Sequence, residues 1–136
     1  MTYILEVCVD SVQSAVAAQK GGADRVELCS ALVIGGLSPS VAMFRQVKEN
    51  TDLKIRVLLR PRFGDFCYDE YEFRTLKDEV KQFRELGADG VVIGILRPDG
   101  TLNMEQMEEL VKAAGDMGIT MHRSFDVCRD AYQALE

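Results

Sequence analysis

Apolar runs of strand length alternate with longer amphipathic segments along the whole chain, and this alternation limits the possible folds more than any other feature. Tyr3 to Val9, Arg25 to Cys29, Ile55 to Arg60, Gly90 to Ile95 and Ile119 to Ser124 read as strands. Val12 to Lys20, Pro39 to Asn50, Asp69 to Leu86, Asn103 to Ala114 and Asp130 to Glu136 follow them as helices. Successive βα units favour a parallel sheet, because each helix carries the chain back to the end where the previous strand began. Phe73, Leu76, Val80, Phe83 and Leu86 recur every three or four residues, as do Met104, Met107, Leu110, Val111 and Ala114. Each set marks one core-facing helical stripe.

The boundaries carry their own chemistry. Ser38 is placed to cap a helix with Pro39 at its first position, and Asp69 precedes Glu72, as Asn103 precedes Gln106, at capping-box spacing. Gly21-Gly22 and Gly87 end helices. Gly22-Ala23-Asp24-Arg25-Val26 and Gly87-Ala88-Asp89-Gly90-Val91 read as one helix-to-strand joint used twice, the weak internal repeat expected of a (β/α) barrel. A chain of 136 residues without a linker or low-complexity stretch is a single domain, 1–136. An eight-stranded TIM barrel typically takes ~250 residues. Five units are therefore an incomplete (β/α)8 barrel truncated at its carboxyl end, with a five-stranded doubly wound parallel sheet as the alternative.

Charge and composition exclude several function classes. Sixteen basic against 22 acidic residues give a net charge of -6, contrary to what a general nucleic-acid binder needs to displace counterions from phosphate. No apolar run approaches the length of a membrane span, and the first ten residues lack a secretion-signal pattern, so the expectation is a cytoplasmic protein without a membrane partner. The four cysteines, Cys8, Cys29, Cys67 and Cys128, form no Cys-x-x-Cys pair, which argues for reduced thiols and against a structural zinc site.

Strand alternation sorts the residues that could carry chemistry. If Leu5, Val7 and Val9, Val26 and Leu28, and Ile55, Val57 and Leu59 face helices, then Glu6, Cys8, Glu27, Cys29, Arg60 and His122 converge on the opposite side, toward the barrel axis. Ligands bind at the carboxyl ends of strands in this architecture, and the loop Arg60-Pro61-Arg62-Phe63-Gly64 opens from such an end. Glu6, Glu27, Arg60 and His122 are the catalytic candidates, with His122 exchanging protons near neutral pH, a glutamate orienting it and an arginine holding a carboxylate or phosphate. Asp10, Arg62, Ser124 and Asp126 are the substrate-binding candidates beside them. Cys8 and Cys29 occupy equivalent steps on adjacent strands, and two thiols with His122 as a third donor would suit Cu(I). Arg123 falls on the otherwise apolar face of the fifth strand, and a bulge there would exchange its role with that of His122.

Leu5-Glu6-Val7-Cys8-Val9-Asp10-Ser11, Gly21 to Ser30, Gly35-Gly36-Leu37-Ser38-Pro39-Ser40, Arg60 to Tyr68, Gly87 to Val91 and His122-Arg123-Ser124-Phe125-Asp126 together resemble the CutC family, named for a proposed role in copper homeostasis. The resemblance implies a cytoplasmic TIM barrel, longer than this chain, with a role in copper homeostasis and copper as its ligand. The residues themselves equally allow a barrel enzyme that treats a small anionic metabolite by acid/base chemistry. Exposed edges on the first and fifth strands, and an interior stripe of Ile4, Leu58 and Val92 short of packing, add an expectation of self-association into a homo-oligomer.

Overall fold

The computed structural model describes residues 2–136. Five parallel strands form one sheet, β1 (Glu6–Val9), β2 (Arg25–Leu28), β3 (Lys54–Leu58), β4 (Gly90–Ile93) and β5 (Gly118–Met121), hydrogen-bonded in the order in which the chain makes them. The helices are α1 (Val12–Lys20), α2 (Val41–Asn50), α3 (Glu70–Glu85), α4 (Met104–Ala114) and α5 (Ala131–Leu135), with 3-10 turns at Leu32–Ile34 and Arg123–Val127. A doubly wound sheet would place its first strand in the interior and helices on both faces. Here β1 and β5 are the edges, and Ala15, Phe44, Val47, Leu76, Val80, Phe83 and Leu110 from α1 to α4 share one core with Val9, Val26, Leu28, Val57, Val91 and Ile93. All four helices therefore cover the same face. This is the winding of a (β/α) barrel whose sheet is not closed among the described residues, and it removes the doubly wound alternative.

The repeated joint is a hydrogen-bonded device. Gly22 and Gly87 take positive φ (90° and 82°), which a side chain would resist, and turn the chain out of α1 and α3. Asp24 then donates its N–H to the Leu5 carbonyl and accepts the Leu5 N–H on its carboxylate at 2.8 Å, while its own carbonyl receives the Lys54 N–H. Asp89 repeats all three bonds with Ile55 and Gly118. Each aspartate thus ties the starts of three consecutive strands, and the repeat seen in the sequence is a repeat of strand registration.

Several boundaries differ from expectation. Asp69 forms a complete capping box with Glu72, and Asn103 caps α4 through the Gln106 N–H, but α2 is capped by Ser40 and not by Ser38. An antiparallel bridge between Ser30 and Leu37 holds the chain extended, so the helix starts later and Ser38 joins the loop, accepting the Arg60 N–H and donating to Glu79 at 2.9 Å each. The fifth strand ends at Met121, three residues early, where the 3-10 turn begins. Leu58 and Val92 are not short of packing: with Cys29 they form a small buried cluster on the inner face, whereas Ile4 is exposed. No helix among the described residues is long and apolar enough to cross a membrane.

Candidate functional site

Parallel register arranges the inner face in tiers. Cys8, Glu27, Arg56, Gly90 and Gly118 are mutual partners on neighbouring strands and form the lower tier. One step up, Leu58 and Val92 pair and Thr120 joins them. Arg60 and His122 stand above, past the carboxyl ends of β3 and β5. A cavity of about 680 Å³ opens on these tiers, walled by Cys8, Glu27, Cys29, Arg60, His122 and Arg123 among others.

Arg60 is buried, at 6% exposure, without a carboxylate partner among the described residues. Its guanidinium lies over the Phe66 ring at 4.9 Å and donates to the carbonyls of Gly36 (3.3 Å) and Gly64 (2.8 Å), leaving Nε unpaired. Arg123, exposed and without a carboxylate partner among the described residues, approaches it from the other side of Gly35: the point where a Cβ would stand on Gly35 is 3.1 Å from Arg60 Nη1 and 3.7 Å from Arg123 Nη1. The early end of β5 explains this meeting. Because the strand gives way to a 3-10 turn, His122 and Arg123 both reach the cavity, and neither displaces the other as a bulge would require.

The surroundings of His122 oppose the proton exchange near neutral pH that the sequence suggests. Burial first, then the charges of Arg60 and Arg123, lowers its pKa to about 4. Its Nδ1 accepts the Ser124 N–H at 3.2 Å, so the neutral ring carries its proton on Nε2, which is buried and unpartnered. Gly94 makes room for this arrangement, since a Cβ there would lie 2.0 Å from Ser124 Oγ and 2.7 Å from His122 Cε1. Ser124 is fully buried against Gly94 and does not line the cavity, which corrects its assignment to substrate.

Other candidates divide. Glu6 is absent from the cavity wall: it pairs with Arg25, its register neighbour on β2, one tier below Glu27. Glu27 does line the cavity and is raised by burial and by the charge of Glu6. Its register neighbour Arg56 turns away across Gly90 and Gly118 to Thr120 Oγ1, so Glu27 keeps no cationic partner among the described residues. Asp10 accepts the Leu32 N–H at 3.2 Å and fixes the loop after β2, while Ser11 caps α1. Arg62 is engaged by Glu72, Asp65 and the Cys67 carbonyl at the start of α3, outside the cavity. Asp126 reaches the cavity wall. Sequence reasoning missed Arg56, Thr120 and Phe66; two glycines opening consecutive strands were the available signal for a long inner side chain lying across them.

The cysteines are free thiols. Cys29 is buried and donates to the Val9 carbonyl at 3.4 Å, whereas Cys8, on the edge strand β1, is exposed. Burial, then Cys8, Asp10 and Glu27, pushes the Cys29 thiol up to about 12, and Cys8 is raised by partial burial, Glu27 and Glu6. No group of three or more His, Cys, Asp or Glu among the described residues is arranged to hold a metal ion. The register pairs Cys8 with Glu27, so Cys29 stands one tier above Cys8 and the two do not occupy equivalent steps.

Comparison with known proteins agrees with this fold. The chain is 47% identical over 137 residues to a family protein CutC of Bacteroides fragilis, a match that takes in 98% of this chain and 54% of the relative. A Mesorhizobium japonicum CutC is 45% identical over 133 residues, with 98% and 52% covered. The chain thus spans about half the length of these relatives. The crystal structure of a Streptococcus agalactiae protein, provisionally named copper homeostasis protein CutC, superposes with a TM-score of 0.88 at 28% identity, over 98% of this chain and 66% of that one. A Burkholderia cenocepacia protein provisionally named a phosphonomutase shares the fold alone, with a TM-score of 0.60 at 19% identity over 87% of this chain and 53% of that one. The CutC family pattern matches residues 3–136, which include every strand and the whole cavity wall, and on that evidence the chain belongs to the CutC family.

Proposed function

We propose that this protein serves copper homeostasis, the role for which its family is named, through a cavity that holds a small anionic ligand at the carboxyl ends of β3 and β5. One observation carries the anionic part: Arg60 and Arg123 both approach Gly35, and neither pairs with a carboxylate among the described residues. Two guanidinium groups at such range repel, and Arg60 is buried, so a bound carboxylate or phosphate would relieve both the repulsion and the desolvation. The neutral His122 adds an Nε2–H donor to the same ligand. Proton exchange falls to Glu27, whose pKa burial and the charge of Glu6 raise and which faces the cavity without a cationic partner among the described residues. Titration calorimetry with inorganic phosphate and with acetate is the test: Arg60-dependent binding supports the reading, and binding unaltered in Arg60→Met overturns it.

Copper as cargo is the second reading, favoured by the two thiols that line the same cavity on adjacent strands. Thiolates suit Cu(I), and a pair offers two-coordinate binding. The high pKa of Cys29 means that copper must displace a proton and break the bond to Val9, so affinity should rise with pH. Anaerobic Cu(I) titration against a competing chelator decides. Stoichiometric binding lost in Cys8→Ser and Cys29→Ser supports copper transfer, and binding retained in both excludes this pair.

The protein is placed in the cytoplasm in this proposal, in keeping with its free thiols. The open edges at β1 and β5 present unpaired strand groups, so two copies are proposed to associate through them. Light scattering over a concentration series distinguishes this from a stable monomer.

A further inference from the structure

The cationic groups occupy only one end of the cavity. Its 680 Å³ lies within the ~300–1,000 Å³ usual for small-molecule clefts, whereas a bare oxyanion fills a volume of only a few waters, each ~30 Å³. In the tier below Arg60 and His122, Leu58 and Val92 make an apolar floor with Cys29, bordered by Thr120 under His122, and Phe66 stands as a wall 4.9 Å from the His122 ring. Across from them, Leu32 and Leu135 turn toward the same space while 40% and 74% exposed. Apolar side chains wetted on the wall of a cleft are what an apolar ligand body would cover. The remaining charged groups on the wall, Glu27 and Asp126, are acidic and would repel a second anionic group.

We infer that the ligand is an organic monoanion with an apolar body: one carboxylate or phosphate head at Arg60, Arg123 and His122, and an aryl or branched alkyl group laid over Leu58, Val92 and Phe66 and covered by Leu32 and Leu135. The inference rests on the anion-binding reading above and narrows it to a chemical class. It sets inorganic anions and dicarboxylates apart from the preferred ligand, the first for lack of a body and the second because its other carboxylate meets Glu27 or Asp126.

The test compares acetate, phenylacetate and succinate on the full chain at pH 7 by titration calorimetry, with Leu32→Ser and Leu135→Ser as variants. Both positions are exposed, so these variants should fold. Phenylacetate is expected to bind at least tenfold more tightly than acetate, about 1.4 kcal/mol, and succinate no more tightly than acetate. Each Ser variant should cut the phenylacetate advantage about threefold and leave acetate unchanged. Equal affinity for acetate and phenylacetate, or tightest binding of succinate, overturns the apolar-body inference while the anion site stands. If none of the three binds, the anion site fails and this inference fails with it.

Discussion

The two faces of the sheet follow opposite rules. On the outer face Val26, Leu28, Val57, Val91 and Ile93 are wholly inaccessible beneath the helices, while the inner face carries Glu27, Arg56, Arg60 and His122. Every helix that covers the outer face comes from chain lying between the strands it covers, so the middle strands are fully packed, while Ile119 on β5 stays 36% exposed. The inner face of a barrel is opposed by its own far side, and in this chain those side chains meet a cavity. Fully burying a Val, Leu or Phe is worth ~1.5–3 kcal/mol, whereas burying an unpaired charge opposes folding. Stability should therefore reside outside and binding inside.

The largest expected effect tests the outer half. Phe83, 1% exposed and edge-to-face with Phe44 at 5.4 Å, should cost ~3–5 kcal/mol in urea denaturation when replaced by Ala, with ligand affinity per folded molecule unchanged. Altered affinity would show that the faces are coupled.

Acidification probes the inner half through His122. Its folded pKa of about 4 lies below the ordinary 6.5, so the unfolded chain binds the proton more readily between these values. Stability should be complete above pH 6.5 and fall as the pH drops toward 4, by at most ~3 kcal/mol at 1.36 kcal/mol per unit. Glu27 and Glu79, both raised, act in the opposite sense, stabilising at low pH and losing that contribution as the pH rises. The difference between the wild type and His122→Gln over this window isolates the histidine; a pH-independent difference would mean that the ring is not held neutral.

A methyl group at Gly94 should be felt on both counts. Gly94→Ala must move Ser124 or His122, at ~1–3 kcal/mol of stability, and should weaken acetate binding at least tenfold. Normal binding by a destabilised variant would separate the His122 orientation from the site. The smallest stability change sharpens the contrast most: Arg60→Met should shift stability by no more than ~1 kcal/mol, because losing two carbonyl bonds is set against removing a buried unpaired charge, yet abolish measurable anion binding. A large stability loss would make Arg60 part of the framework.

The sequence by itself determined the βα order, the faces of the first three strands, the Asp69 cap and the aspartate joints. Each depends on residues close in the chain, on alternation at two residues and helical recurrence at three or four, or on a motif visible twice. It also brought Cys8, Glu27, Cys29, Arg60 and His122 to one side. Only the tertiary structure decided that Glu6 is taken by Arg25, that Arg62 is held by Glu72, that Arg56 crosses two glycines to Thr120, and that Arg123 joins Arg60. The Arg25, Thr120 and Arg123 outcomes follow from register between strands 19 to 64 residues apart and from the point where β5 yields to a turn, while Arg62 and Glu72, 10 residues apart, meet where the loop after β3 returns to the start of α3. The pKa of His122 belongs with them, because burial and the charge of Arg60 reach it only once β3 and β5 share one sheet, adding to the charge of its chain neighbour Arg123.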